Sequence, residues 1–130
     1  MKIFGYVSFW GKNFSPKKAA SETGVLFSKE NEVGEIGSTG KYKSKPYDYG
    51  AASLSFECEE GGAPLLVPVK VLNILKTHRE TFKKLGTEEI QITVNIAYQD
   101  QCNFEITPAF MKMIAELEIP LALSCYQTPK

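Results

Sequence analysis

Ile90-Gln91-Ile92-Thr93-Val94-Asn95-Ile96-Ala97-Tyr98 decides the fold class. Ile90, Ile92, Val94, Ile96 and Tyr98 share one face, and Gln91, Thr93, Asn95 and Ala97 share the other. That period of two is the mark of a half-buried β-strand. Downstream, Ile106-Thr107-Pro108 opens a helix, because a threonine hydroxyl can cap the first turn and proline suits the first helical position. The apolar residues Phe110, Met111, Ile114, Ala115 and Leu117 follow at helical spacing, and residues 121–126 read as a further strand. The last third of the chain is therefore strand, helix, strand.

Moving toward the N-terminus, Leu72, Leu75, His78, Phe82 and Leu85 recur at three- and four-residue steps, which predicts a long helix from about Pro64 or Pro68 to Leu85. Lys83 and Lys84 lie in its last turn, where cations favour the dipole, and Gly86 can close it. Before it, Ala52, Leu54, Phe56 and Cys58 alternate with Ser53, Ser55 and Glu57 as a half-exposed strand, followed by a turn at Glu59-Glu60-Gly61-Gly62. Residues 3–10 carry rings on both faces, Phe9 on one and Phe4, Tyr6 and Trp10 on the other, as expected of an interior strand. Phe14-Ser15-Pro16 starts a short helix that Gly24 can end, by the same apolar residue and cap used at Ile106-Thr107-Pro108. Residues 25–27 are expected to form a brief strand. A long polar loop, about 28–50, holds Gly34, Gly37 and Gly40 and then Lys41-Tyr42-Lys43-Ser44-Lys45-Pro46-Tyr47-Asp48-Tyr49. Loops of that length in a compact domain are usually functional or mobile. The expectation is one α+β domain over residues 1–130. It is a mostly antiparallel, twisted sheet of about five strands packed with one long and two short helices.

The composition suits that size, with 130 residues, 43% hydrophobic and 23% charged, enough for one core without staples. Fifteen Lys plus Arg balance fifteen Asp plus Glu, so the global basic excess of many nucleic-acid binders is missing. Residues 1–50 hold eight lysines against four glutamates and one aspartate, net +3, and the remainder holds seven basic against ten acidic residues, net −3. Cys58, Cys102 and Cys125 are odd in number and lack metal-ligand or redox spacing, which argues against a disulfide framework and for a reducing cytosol. The first residues read as a strand rather than a signal peptide. No apolar run approaches the roughly 18–20 residues that span a bilayer. A cytoplasmic location, with no membrane partner, is expected.

Few residues offer chemistry. His78 is the only histidine and sits on the apolar stripe of the long helix, where a partly buried, hydrogen-bonded ring is the expected role. No second histidine or cysteine pair at ligand spacing accompanies it, so no metal, cofactor or catalytic residue is assigned. Cys58 and Cys125 fall within strand patterns and read as small buried hydrophobes, while Cys102 lies in a turn with nothing beside it in sequence to activate a thiolate. Gly34, Gly37 and Gly40 lack the Gly-Lys-Ser/Thr ending and following helix of a phosphate loop. Lys41, Lys43 and Lys45 interleave with Tyr42, Tyr47 and Tyr49 as in a single-strand nucleic-acid groove, yet Glu30, Glu32, Glu35 and Asp48 flank them. Glu57, Glu59 and Glu60, with Glu88 and Glu89, would form an anionic rim if strand ends brought them together. A tyrosine-rich loop beside such a rim suits a basic protein partner, because tyrosine buries large area with few rotors.

The aromatic first strand with Phe14-Ser15-Pro16, the short helix ending at Gly24, the long helix to Leu85-Gly86, the strand at 90–98 and residues 104–126 together resemble an uncharacterised bacterial domain family. Its members end in a helix after a Ser/Thr-Pro start and a strand closing on tyrosine. The family includes immunity proteins of contact-dependent growth inhibition, the toxin-immunity systems of bacterial competition. The resemblance covers most of the chain outside the 28–50 loop. It implies a cytoplasmic, non-catalytic protein that neutralises a cognate toxin domain, typically a basic nuclease, by covering its active site or substrate surface. The partner-binding residues expected on this reading are Tyr42, Tyr47, Asp48, Tyr49, Glu57, Glu59 and Glu60, without direct nucleic-acid contact. The alternatives are a small nucleic-acid-binding domain using the lysine-tyrosine loop, and an enzyme centred on His78 with a carboxylate partner.

Overall fold

The computed structural model describes residues 1–58 and 66–129. The turn expected at Glu59-Glu60-Gly61-Gly62 lies outside the described residues. Five strands form one sheet: β1 (Lys2–Gly11), β2 (Lys29–Asn31), β3 (Gly50–Glu57), β4 (Glu89–Tyr98) and β5 (Leu121–Gln127). Their order is β2-β3-β1-β4-β5, and every neighbouring pair is antiparallel except β4 and β5. The ring-bearing first strand is central, as its two apolar faces predict. Three helices complete the fold, α1 (Pro16–Thr23), α2 (Val69–Lys84) and α3 (Pro108–Leu117). The α+β class, the five strands and the one long and two short helices match the sequence expectation.

Period-two patterning sets which face is buried. Ile3, Val7 and Phe9 of β1, Ala52 and Phe56 of β3, and Ile92, Val94 and Ile96 of β4 point to the same side and are almost wholly excluded from solvent. The register places Phe9 between Ala52 and Ile90, and Val7 between Leu54 and Ile92. The helices cover this side: Ala19 from α1, Val71, Leu72, Leu75 and Phe82 from α2, and Phe110 and Leu117 from α3 join the same core. Phe9 and Phe82 meet with ring centroids 4.7 Å apart, joining the central strand to the long helix.

The capping residues act as the sequence anticipates. Ser15 Oγ accepts from Lys18 N–H at 3.3 Å and Thr107 Oγ1 accepts from Phe110 N–H at 3.2 Å, each satisfying one orphan donor of a first turn. Gly24 ends α1 in the left-handed region with its N–H on the Ala20 carbonyl at 2.8 Å. Gly86, at φ +99°, turns the chain out of α2 toward β4.

Three local expectations are corrected. Residues 25–27 are not a strand; the short edge strand that pairs with β3 is Lys29–Asn31, and Val25 is packed into the core instead. In α3 the buried stripe is Phe110, Met113, Ile114 and Leu117, while Met111 is 52% exposed and Ala115 is exposed. Met111 and Ala115 are one residue away from that i, i+3, i+4, i+7 stripe, and they turn from the core. The loop at 28–50 is not a free excursion either. Gly34 N–H and Tyr47 O, Tyr47 N–H and Glu35 O, and Gly37 N–H and Lys45 O bond at 2.7, 2.8 and 2.9 Å, so the segment folds back on itself.

Candidate functional site: an open aromatic sheet face

With the three α-helices on one side, no described α-helix covers the other; the single 3-10 turn Gly40–Tyr42 lies only at one end of it. The register brings Phe4, Tyr6, Ser8 and Trp10 of β1 to this open face, between Ser53, Ser55 and Glu57 of β3 and Gln91, Thr93 and Asn95 of β4. Ser124 and Tyr126 of β5 extend it, and Tyr126 meets Phe4 edge-on at 6.5 Å. The middle of the face is neutral, made of hydroxyls, amides and rings. Its charges lie at the margins, Lys2 over the Phe4 ring at 5.6 Å, Lys29 on β2, and the acids Glu57 and Glu89.

One end of this face is an aromatic cluster. Tyr49, directly before β3, packs on Trp10 with centroids 5.8 Å apart. Tyr42 and Tyr47 stack at 5.0 Å and 30°, and both meet Tyr49 edge-on, at 5.5 and 5.6 Å. The fold-back of residues 34–47 makes this possible. Lys45 N–H on the Tyr42 carbonyl and Ser44 N–H on the Gly37 carbonyl, both 2.9 Å, bend the chain so that residues five apart can stack. Asn31 Nδ2 donates to the Tyr49 carbonyl at 3.0 Å, anchoring the segment to the edge strand. Tyr42 Oη donates to Asp48 Oδ1 at 2.8 Å. That bond pushes the Tyr42 pKa up, because ionising the phenol would lose it and set two anions together; desolvation adds to the shift. Burial pushes Tyr49 up as well.

Of the residues expected from sequence, Tyr42, Tyr47, Asp48 and Tyr49 are thus brought together, and Glu57 is not with them. Glu57 pairs with Phe4, whereas the tyrosine cluster sits at Trp10, six residues or about 20 Å along β1. The anionic rim does not form among the described residues. β3 and β4 both run antiparallel to β1, so the end of β3 and the start of β4 lie at opposite ends of the sheet. Glu89 pairs with Trp10, beside the tyrosines, and Glu88 Oε2 accepts from Lys12 N–H at 2.6 Å. Glu59 and Glu60 lie outside the described residues. Glu57 instead borders a shallow depression of about 460 Å³ with Phe4, Tyr6, Ser55 and Asn95.

Phe4, Tyr6 and Trp10 are wholly or partly exposed where rings on both sides of β1 read as burial on both sides, and Tyr126 of β5 joins them through Phe4. Ser8 between Tyr6 and Trp10 was the available signal, and so was helix count, since three helices cover only one face of five strands. His78 is partly exposed and edge-on to Phe82 at 6.4 Å. Cys125 is exposed, contrary to expectation, since β5 is an edge strand. Cys58 is half-buried. Cys125 sits beside Cys102, whose pKa is pushed up by burial and by a hydrogen bond with the Cys125 thiol; their separation of 23 positions in sequence hides that pairing. Among the described residues no group of His, Cys, Asp or Glu could hold a metal ion, and no helix is long and apolar enough to cross a membrane.

No protein-family model, curated protein or solved structure matches this chain.

Proposed function

We propose that this protein is a cytoplasmic, non-catalytic immunity protein that binds a cognate bacterial toxin domain, a nuclease with a basic surface, and covers its active site or substrate surface. The observation that carries the binding part is the Trp10–Tyr49–Tyr47–Tyr42 cluster at one end of an uncovered, neutral, hydroxyl-rich sheet face. Rigid aromatic rings amid serine and asparagine are the composition of protein-recognition surfaces, where tyrosine and tryptophan supply anchor area and small polar groups adapt. Asp48 and Glu89 lie beside the cluster and Lys41 lies over Tyr42, so its rim carries charges of both signs around the aromatic anchors. The toxin class comes from the family resemblance.

The geometry favours protein over single-stranded nucleic acid. Tyr42 and Tyr47 cover each other's faces, and Lys41 Nζ lies 5.6 Å over Tyr42, which takes up ring surface that bases would need. The centre of the sheet face carries no cation to neutralise phosphates.

Co-expression with a toxin domain, if a neighbouring reading frame encodes one, is the test. Protection and co-purification are expected, and Trp10→Ala or Tyr49→Ala is expected to weaken binding by about 2 kcal/mol or more, as for interface anchors. Glu57→Ala, at the far end, is expected to leave binding within threefold, about 0.6 kcal/mol. Failure to protect and to co-purify overturns the immunity reading. Binding of RNA or DNA oligonucleotides that falls steeply with salt supports the nucleic-acid alternative instead.

A further inference from the structure

The two edges of the sheet are built differently. β2 is only three residues long and carries Lys29 and Glu30, both exposed, the usual protection against strand addition. β5 runs for seven residues, Leu121-Ala122-Leu123-Ser124-Cys125-Tyr126-Gln127, with no charge, proline or glycine, and Leu123 and Tyr126 are 42% and 43% exposed. Ile92 N–H donates to Pro120 O at 3.0 Å and Thr128 N–H donates to Tyr98 O at 2.7 Å. In a parallel ladder the residues bonding inward alternate, so Ala122, Ser124 and Tyr126 bond to β4. Leu121, Leu123, Cys125 and Gln127 turn their N–H and C=O groups outward, and no described strand meets them.

We infer that β5 pairs antiparallel with β5 of a second copy of this chain, about a two-fold axis at Ser124, joining two sheets into one of ten strands. Only the register centred on Ser124 pairs all seven residues. It sets Leu123 against Cys125 of the partner subunit on the helix side, and Tyr126 against Ala122 of the partner subunit on the open face. Large thus meets small at both of these pairs. Two-fold pairing sets like against like around the axis, so a charged strand would repel its copy, and β5 is neutral throughout. A strip about 24 Å long and about 20 Å deep gives roughly 500 Å² per copy, or about 1,000 Å² in all, the lower bound of a stable biological interface. The inference does not depend on the toxin partner.

Sedimentation velocity of the whole chain between about 1 and 300 µM brackets the affinity of so small an interface, and a monomer–dimer equilibrium is expected. Ser124 faces its copy as a non-hydrogen-bonded pair, with Cα atoms about 4.5 Å apart. Ser124→Cys, in a chain with Cys58→Ser, Cys102→Ser and Cys125→Ser, is expected to form a disulfide-linked dimer on mild oxidation. Leu123→Lys, at a side chain already exposed, is expected to keep the circular dichroism of the native chain and to abolish the dimer. A monomer across the whole range overturns the inference, even if this edge captures a strand from another protein. So does a dimer that Leu123→Lys leaves intact or that Ser124→Cys fails to cross-link.

Discussion

Gly24 and Gly86 share a left-handed backbone but not their surroundings. A Cβ on Gly24 would meet nothing within 4 Å, whereas one on Gly86 would lie 2.5 Å from the Asn13 carbonyl oxygen. Gly24→Ala is therefore expected to cost about 1 kcal/mol of backbone strain alone. Gly86→Ala adds a backbone collision and is expected to cost at least about twice that in urea unfolding. The Tyr42–Asp48 bond gives a pH signature. The folded pKa of Tyr42 is raised above its ordinary value of 10.0, so the bond's contribution is fully present below pH 10.0 and is lost as pH rises through the folded pKa. Ultraviolet titration should show Tyr42 ionising later than an exposed tyrosine, and Asp48→Asn should bring its titration back toward the ordinary range. An unchanged titration in Asp48→Asn would assign the shift to another cause.

At the scale of elements, α3 shows how far periodicity reads and where it stops. Its start and cap follow from Thr107-Pro108, but spacing alone does not choose between Phe110, which lies on the i, i+3, i+4, i+7 stripe with Met113, Ile114 and Leu117, and Met111, which lies off it. Phe110 is 3% exposed and Met111 52%. Phe110→Ala should destabilise the protein by about 3–4 kcal/mol through a cavity, a large share of a small domain's stability, while Met111→Glu should stay within about 0.5 kcal/mol. Thermal melting of the two variants checks the assignment. The 28–50 segment carries no such period. Its bonds, such as Gly34 N–H to Tyr47 O, join residues 13 positions apart without a repeating pattern, and no periodicity announces them.

For the whole molecule, one-sided helix cover is the decisive feature, because it leaves the aromatic side of β1 in solvent. Trp10 is the only tryptophan and sits within the candidate surface, so its emission reports occupancy of that site. Partner binding is expected to shift the emission to shorter wavelength by excluding water, and the shift should persist in Glu57→Ala. An emission spectrum unmoved by saturating partner would place the contact elsewhere. A two-fold pairing through β5 would extend the same open face across the Phe4–Tyr126 end of each copy, away from the tyrosine cluster.

The amino-acid sequence by itself determined the three helices, the four long strands, the central position of β1 and the helix starts at Ser15 and Thr107, but not the short edge strand at Lys29–Asn31. Each depends on a short-range rule: side-chain alternation, helical spacing or a cap bonding three residues onward. Tertiary structure alone decided that Tyr42, Tyr47 and Tyr49 cluster on Trp10, that Glu57 lies at the opposite end from Glu89, and that Cys102 sits beside Cys125. Those relations depend on strand order, strand direction and the side on which the helices lie. Long-range burial selects these, because the Ile3–Phe9 face and the apolar stripes of the helices are most fully removed from water when packed against one another.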